Sequence, residues 1–173
     1  YFAVTNVSEG ATLRDAGITK PILVLHPQII NFDELIERCL EPTLYNTTVL
    51  NAFIELAEKK AQTNYPIHLK FNTGLNRLGF GKGDISTLES TLKNTDSLEV
   101  RSLFSHLAAS EDPNEKNFTI AQIKSFNNIT DHFKTICHQQ PILHLCNTSG
   151  ILNYPEAHYD MVRSGIGLYG FFN

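Results

Sequence analysis

The sequence predicts an α/β fold, a parallel (β/α)8 barrel of the TIM type that is incomplete, with about seven of its eight strands present. Three observations predict it. Seven short apolar runs punctuate the 173 residues, each bounded by turn-forming residues. Most of them are apolar at consecutive positions rather than alternating, as expected of strands covered on both faces. Between them lie stretches of helical period, so that a strand and a helix recur roughly every 20 to 35 residues, the pattern of a parallel sheet.

In chain order the strand candidates are Phe2 to Thr5, Pro21 to His26, Thr43 to Asn46, Ile67 to Asn72, Val100 to His106, Ile142 to Asn147 and Val162 to Tyr169. Ser8 to Gly17 reads as the first helix, closed by Gly17 as a C-cap. Thr48 to Lys60 sets Val49, Phe53, Leu56 and Ala57 on one face, and Asp84 to Lys93 and Thr119 to Cys137 follow the same period. An open doubly wound sheet would alternate in the same way. It loses ground because no glycine fingerprint follows the first strand and no Gly-x-x-x-x-Gly-Lys-Thr/Ser loop occurs. Seven strands leave an open seam, and because an unpaired edge templates aggregation, a neighbouring element is expected to fill it.

A single partial barrel domain over residues 1–173 is expected, since this length suits one core of roughly 100 to 200 residues. Hydrophobic residues at 42% and charged residues at 18% argue for buried strand and against disorder. With a net charge of -4 and Lys and Arg scattered singly, neither nucleic acid nor a membrane surface is an expected partner. Cys39, Cys137 and Cys146 have no paired spacing, so neither a disulfide framework nor a zinc site is expected, and a cytoplasmic location fits best. No apolar run reaches the roughly 18 residues of a spanning helix. The start at Tyr1, inside a strand, and the stop after Phe171-Phe-Asn both read as cut ends.

Barrel enzymes build their sites at the C-terminal ends of the strands. Polar residues gather there: Lys70 and Arg77 in Lys70-Phe-Asn-Thr-Gly-Leu-Asn-Arg77, His106 after Ser105, Asn147-Thr148-Ser149 after His144, and Arg163 before Ser164-Gly165-Ile166-Gly167. The last two loops follow strands seven and eight if one strand precedes Tyr1, and barrels often hold a phosphate there. Hydroxyls on Thr148 and Ser149 and main-chain N–H groups at Gly165 and Ile166 suit such a ligand. Taken singly, each residue has an ordinary explanation: an ion pair for Lys70 or Arg77, a core histidine for His106, a helix N-cap for Asn147. Their succession at strand ends favours function. His68, His144 and His158 lack metal-ligand spacing, so no metal is expected and all three read as structural.

Taken together, His68-Leu-Lys-Phe-Asn-Thr-Gly-Leu-Asn-Arg-Leu-Gly79, Phe104-Ser-His-Leu-Ala-Ala-Ser110, His144-Leu-Cys-Asn-Thr-Ser149 and Val162-Arg-Ser-Gly-Ile-Gly-Leu-Tyr-Gly170 closely resemble the alanine racemase family, in the same order and over nearly the whole chain. The resemblance implies pyridoxal 5'-phosphate as cofactor, L- and D-alanine as substrates supplying peptidoglycan, and a homodimer. It places Arg163 against the pyridine nitrogen, with His106 beside it orienting the guanidinium. Being a permanent donor, Arg163 would keep that nitrogen unprotonated and the ring a weaker electron sink, which suits plain proton exchange. Arg77 would sit near the phenolic oxygen and the substrate carboxylate, and Lys70 is often carbamylated in this family. Asn147, Thr148, Gly165 and Ile166 would hold the phosphate end.

The sequence departs from the family at Thr148, usually Ser, at Asn72, usually Asp, and at Ser164, commonly Pro. Leu40 to Asn46 also looks like racemase domains fused behind a cell-wall ligase. The family's Schiff-base Lys, in a Lys-Ala-Asn-Ala-Tyr-Gly type of motif on the first strand, has no counterpart here, nor does its opposing Tyr from a C-terminal β-domain. No catalytic base is therefore expected within these residues, and the chain alone is expected to be inactive. The competing readings are a racemase of serine or of broad specificity, a non-catalytic carrier-type barrel for pyridoxal phosphate, and a plain interaction module.

Overall fold

A computed structural model of the chain describes residues 1–133 and 140–171. Six strands, all parallel in the pairs defined, follow one another across the sheet in chain order. They are β1 (Phe2–Val4), β2 (Ile22–Val24), β3 (Glu41–Leu44), β4 (Tyr65–Lys70), β5 (Leu98–Phe104) and β6 (Ile142–His144), and the helices α1 (Val7–Asp15), α2 (Phe32–Glu37), α3 (Thr47–Lys59), α4 (Ile85–Lys93) and α5 (Lys116–Phe133) lie between them, with α6 (Thr148–Asn153) after β6. The chain forms two compact units, one of Tyr1–Leu69 with Ser86–Arg101 and one of Lys70–Ile85 with Ser102–Asn173.

In the first unit the strand pairs are in register at Phe2 with Ile22, Leu23 with Glu41 and Thr43 with His68. All of β2 and β3 is buried: β2 is the consecutive apolar run Ile22-Leu23-Val24, whereas β3 buries Glu41 and Thr43 along with Pro42 and Leu44. Asn6 caps α1 by accepting from the Glu9 N–H, and Gly17 follows its end at φ 83, the left-handed position that favours glycine. In α3, Asn46 is the N-cap rather than the end of a strand, and Val49, Leu50, Phe53 and Ala57 turn inward. The Phe53 ring meets Phe32 edge-on at 5.0 Å and Tyr65 at 5.5 Å, while the Tyr65 hydroxyl donates to the Leu40 carbonyl. Beside this apolar core lies a buried polar pair, His68 Nε2 at 2.8 Å from Glu41 Oε2.

The second unit packs Leu107, Ile123, Phe126, Leu145, Cys146, Tyr154 and Ala157 into one cluster. α5 buries Thr119, Gln122, Ile123, Phe126, Ile129, Thr130 and Phe133. The end of its expected range, Lys134 to Cys137, lies outside the described residues, as does Cys137 itself. Cys146 is a buried free thiol and Cys39, of the first unit, an exposed one.

The seventh strand is not formed. Where Val162 to Tyr169 was expected to extend, Met161 makes a single parallel bridge with His144 and Ile166–Tyr169 winds into a 3₁₀ turn. Glycines at 165, 167 and 170 explain this, since they are depleted in strands and Gly170 takes φ 81. Conversely, α2 went unforeseen because it has only six residues; it buries Phe32, Leu35 and Ile36 at helical spacing.

Candidate functional site

Every predicted site residue belongs to the second unit. Lys70 ends β4 and is buried. The chain then doubles back, with the Asn72 N–H donating to Phe80 O and the Phe80 N–H to Lys70 O. Inside this loop Asn72 Oδ1 accepts from the Gly74 and Asn76 N–H groups, so the side chain does the work of a backbone turn. Gly79 stands at φ 139, where an added Cβ would come within 2.5 Å of the Asn72 nitrogen. The loop thus has little choice of path, and it carries Arg77 at its exposed end.

Arg163 is the best-anchored cation of the predicted site. Its Nη1 donates to His144 Nδ1 at 2.6 Å, and its Nη2 to the carbonyls of Ser105 (2.6 Å) and Leu145 (3.0 Å), with His106 Nδ1 at 3.4 Å. Because a guanidinium only donates, His144 Nδ1 must accept, which places the imidazole proton on Nε2, facing Ser102 Oγ at 2.9 Å. The Phe104 ring stacks on His144 at 4.7 Å and lies 5.2 Å from the guanidinium carbon. Among the described residues nothing bonds to Arg163 Nε, so this N–H remains as a fixed, unused donor.

Two residues on, the Gly165 and Gly167 N–H groups donate to Thr148 Oγ1 at 3.1 and 3.2 Å. Thr148 keeps its own O–H to give, and the Ile166 N–H has no partner among the described residues. The space a Cβ on Gly165 would fill is empty to 4 Å. Asn147 is committed to structure through Oδ1, which accepts from the Gly150 N–H at 2.9 Å and the Ser110 hydroxyl at 2.8 Å.

The electrostatics are one-sided. Burial, assisted by Arg77 and Arg163, pushes the Lys70 ammonium down to about 8. Burial pushes His106 down to about 4, with Arg163, Arg77 and Lys70 adding to it in that order, so the ring is neutral at pH 7. Burial lowers Arg163 to about 10, which leaves it charged. No carboxylate pairs with Lys70, Arg77 or Arg163 among the described residues. Such a set can hold an anion, a phosphate at Thr148 and the 165–167 turn and a ring acceptor at Arg163 Nε. No cluster of three His, Cys, Asp or Glu able to hold a metal occurs among those residues, and no helix among them is long and apolar enough to cross a membrane.

The sequence pattern described as "Alanine racemase, N-terminal domain" matches residues 1–172. The chain belongs to the alanine racemase family. It is 36% identical over 170 residues to the alanine racemase of Carboxydothermus hydrogenoformans, covering 98% of this chain and 45% of that protein. It is 33% identical to the enzyme of Treponema denticola, covering 99% of this chain and 46% of the other. This racemase-family chain therefore spans less than half the length of these relatives. The crystal structure of alanine racemase from Corynebacterium glutamicum superposes with a TM-score of 0.86 at 26% identity, over 98% of this chain and 47% of that one. The Clostridium difficile 630 alanine racemase in complex with cycloserine gives 0.90 at 26%, over 98% and 47%. The incomplete parallel β/α barrel expected from the sequence is thus the fold of this family.

One of the two histidines set against Arg163 escaped the sequence reading. His144 was grouped with His68 and His158 as structural, yet it makes the shortest side-chain bond to Arg163. Its position at the end of β6, where the other site residues also gather, was the available signal.

Proposed function

We propose that this chain is the cofactor-binding part of a pyridoxal phosphate-dependent alanine racemase that interconverts L- and D-alanine for peptidoglycan. The observation that carries the reading is a cluster of three cations, Lys70, Arg77 and Arg163, without a carboxylate partner among the described residues, adjoining the Thr148 hydroxyl and the free Ile166 N–H. Thr148, Gly165 and Ile166 would hold the phosphate, with Asn147 fixing the loop beneath them. Arg163 would offer Nε to the pyridine nitrogen, and His106, neutral, would stand beside it. Bound there, pyridoxal phosphate would supply the electron sink that acidifies the substrate Cα–H. Arg77 would pair with the substrate carboxylate. Lys70, with part of its population uncharged near pH 7, is suited to carbamylation, which would give Arg77 an anionic neighbour.

In this reading the two bases that move the proton, a Lys and a Tyr, lie in regions of the relatives beyond the matched segment. The assembly is a cytoplasmic homodimer. The test is the full-length protein with added pyridoxal phosphate, assayed for D-alanine formed from L-alanine and for racemisation of L-serine. Faster turnover of alanine supports the reading. Cofactor binding without alanine racemisation refutes it, and a preference for serine replaces it with the broader racemase.

A further inference from the structure

Gln122 is a glutamine on the inward face of α5, 1% exposed. A buried primary amide must place one acceptor and two donors, and this one places all three. Its Oε1 accepts from the Ala108 N–H at 3.0 Å, which fixes the orientation of the amide because a backbone nitrogen only donates. Its Nε2 donates to the His106 carbonyl at 3.2 Å and, at 3.5 Å, to Thr73 Oγ1. Ser105 Oγ donates to the Phe71 carbonyl at 2.8 Å, so its single proton is spent. The 2.8 Å contact between Thr73 Oγ1 and Ser105 Oγ must then run from threonine to serine. The result is a directional chain, Gln122 to Thr73 to Ser105 to Phe71 O, in which every hydroxyl proton has one destination.

Each link is fastened to the cation cluster. Ser105 presents its own carbonyl to Arg163, Phe71 follows Lys70, and Thr73 opens the loop that carries Arg77. The fit is close as well as bonded: a Cβ on Gly74 would lie 3.2 Å from Gln122 Cγ and 3.0 Å from Phe118 Cζ.

We propose that Gln122 is a positioning residue that sets the loops bearing Arg77, His106 and Arg163 in one arrangement through its bonds to His106 O, Ala108 N and the Thr73–Ser105 hydroxyl chain. It touches no ligand. Its effect is to hold the Arg163 donor at a fixed place, and it rests on the racemase reading only for what is placed there.

The experiment uses the full-length protein and Gln122→Met, which keeps the side-chain length and removes all three bonds. Misplacement of an otherwise intact site costs on the order of 10-fold or more, so pyridoxal phosphate affinity and kcat should each fall about 10-fold with KM for alanine within about twofold. Exchange of the Arg163 guanidinium N–H with water, followed by nitrogen-resolved NMR, should quicken by a similar factor. Thr73→Val, a smaller change that breaks only the hydroxyl chain, should move all three in the same direction and serves where Gln122→Met fails to fold. Unchanged affinity, kcat and Arg163 exchange alongside a lowered melting temperature would overturn the proposal. If the unsubstituted protein neither binds the cofactor nor racemises alanine, the racemase reading fails, and the Arg163 exchange rate still decides the positioning role.

Discussion

Charging His106 should destabilise the folded protein, and the structure gives the size of the effect. Burial and then Arg163, Arg77 and Lys70 hold its folded pKa near 4, against about 6.5 in an unfolded chain. Between these values the unfolded state binds the extra proton, so stability is complete above about pH 6.5 and is lost as pH falls towards 4. Relative to pH 7.5 this one imidazole removes about 2 kcal/mol at pH 5 and about 3 kcal/mol at pH 4. His68, whose pKa burial also lowers, acts in the same direction, so the contribution of His106 is isolated by difference. Urea unfolding of the ligand-free full-length protein and of His106→Gln, followed by circular dichroism from pH 7.5 to 5, measures it. The variant should lose about 2 kcal/mol less over that range. Parallel stability curves for the two proteins would refute the placement of His106 among unpaired cations.

Three further outcomes follow from the packing and the charges. Gly79→Ala forces a Cβ to within 2.5 Å of backbone atoms at φ 139, so it should cost about 3 kcal/mol or more and appear as a sharply lower melting temperature or insoluble protein. Phe53→Ala empties a site enclosed by Phe32 and Tyr65 and should cost about 3 to 5 kcal/mol in denaturant unfolding. Lys70, at about 8, is roughly one-quarter neutral at pH 7.5, so carbon-13 bicarbonate should give a carbamate resonance that is absent from Lys70→Arg.

The element order was legible because burial on both faces leaves consecutive apolar runs, and four of the five helices between strands, all but α2, follow from period and caps. Strand ends were less legible, and the error always ran in the same direction. The runs to Asn72 and His106 overshot β4 and β5 by two residues, and the run to Asn147 overshot β6 by three. In each case the residues that leave the ladder satisfy the chain by other means. Asn72 Oδ1 closes a turn, Ser105 Oγ reaches Phe71 O, and Asn147 Oδ1 caps α6. Apolar patterning registers where a strand is covered and is blind to side chains that take over backbone hydrogen bonds. At Val162 to Tyr169 the same blindness produced a strand where glycines let the chain turn.

The site itself divides along similar lines. Lys70, Arg77, His106 and Arg163 were visible because charge at the end of an apolar run is conspicuous. His144 and Gln122 were not, because their roles lie in bonds to Arg163, 19 residues away, and to Thr73, 49 residues away, which no local pattern contains. His144, with the Ser105 and Leu145 carbonyls, explains how the Arg163 guanidinium can be tolerated beside like charges. Arg163 is held by neutral acceptors alone, and such anchoring satisfies its hydrogen bonds while leaving its charge unopposed. The cluster is therefore a standing cost to the fold that an anionic ligand would offset. A ligand that binds only the folded state stabilises it by about 2.7 kcal/mol at a hundred times its Kd, so the residues whose like charges weaken the fold are those through which such a ligand would secure it.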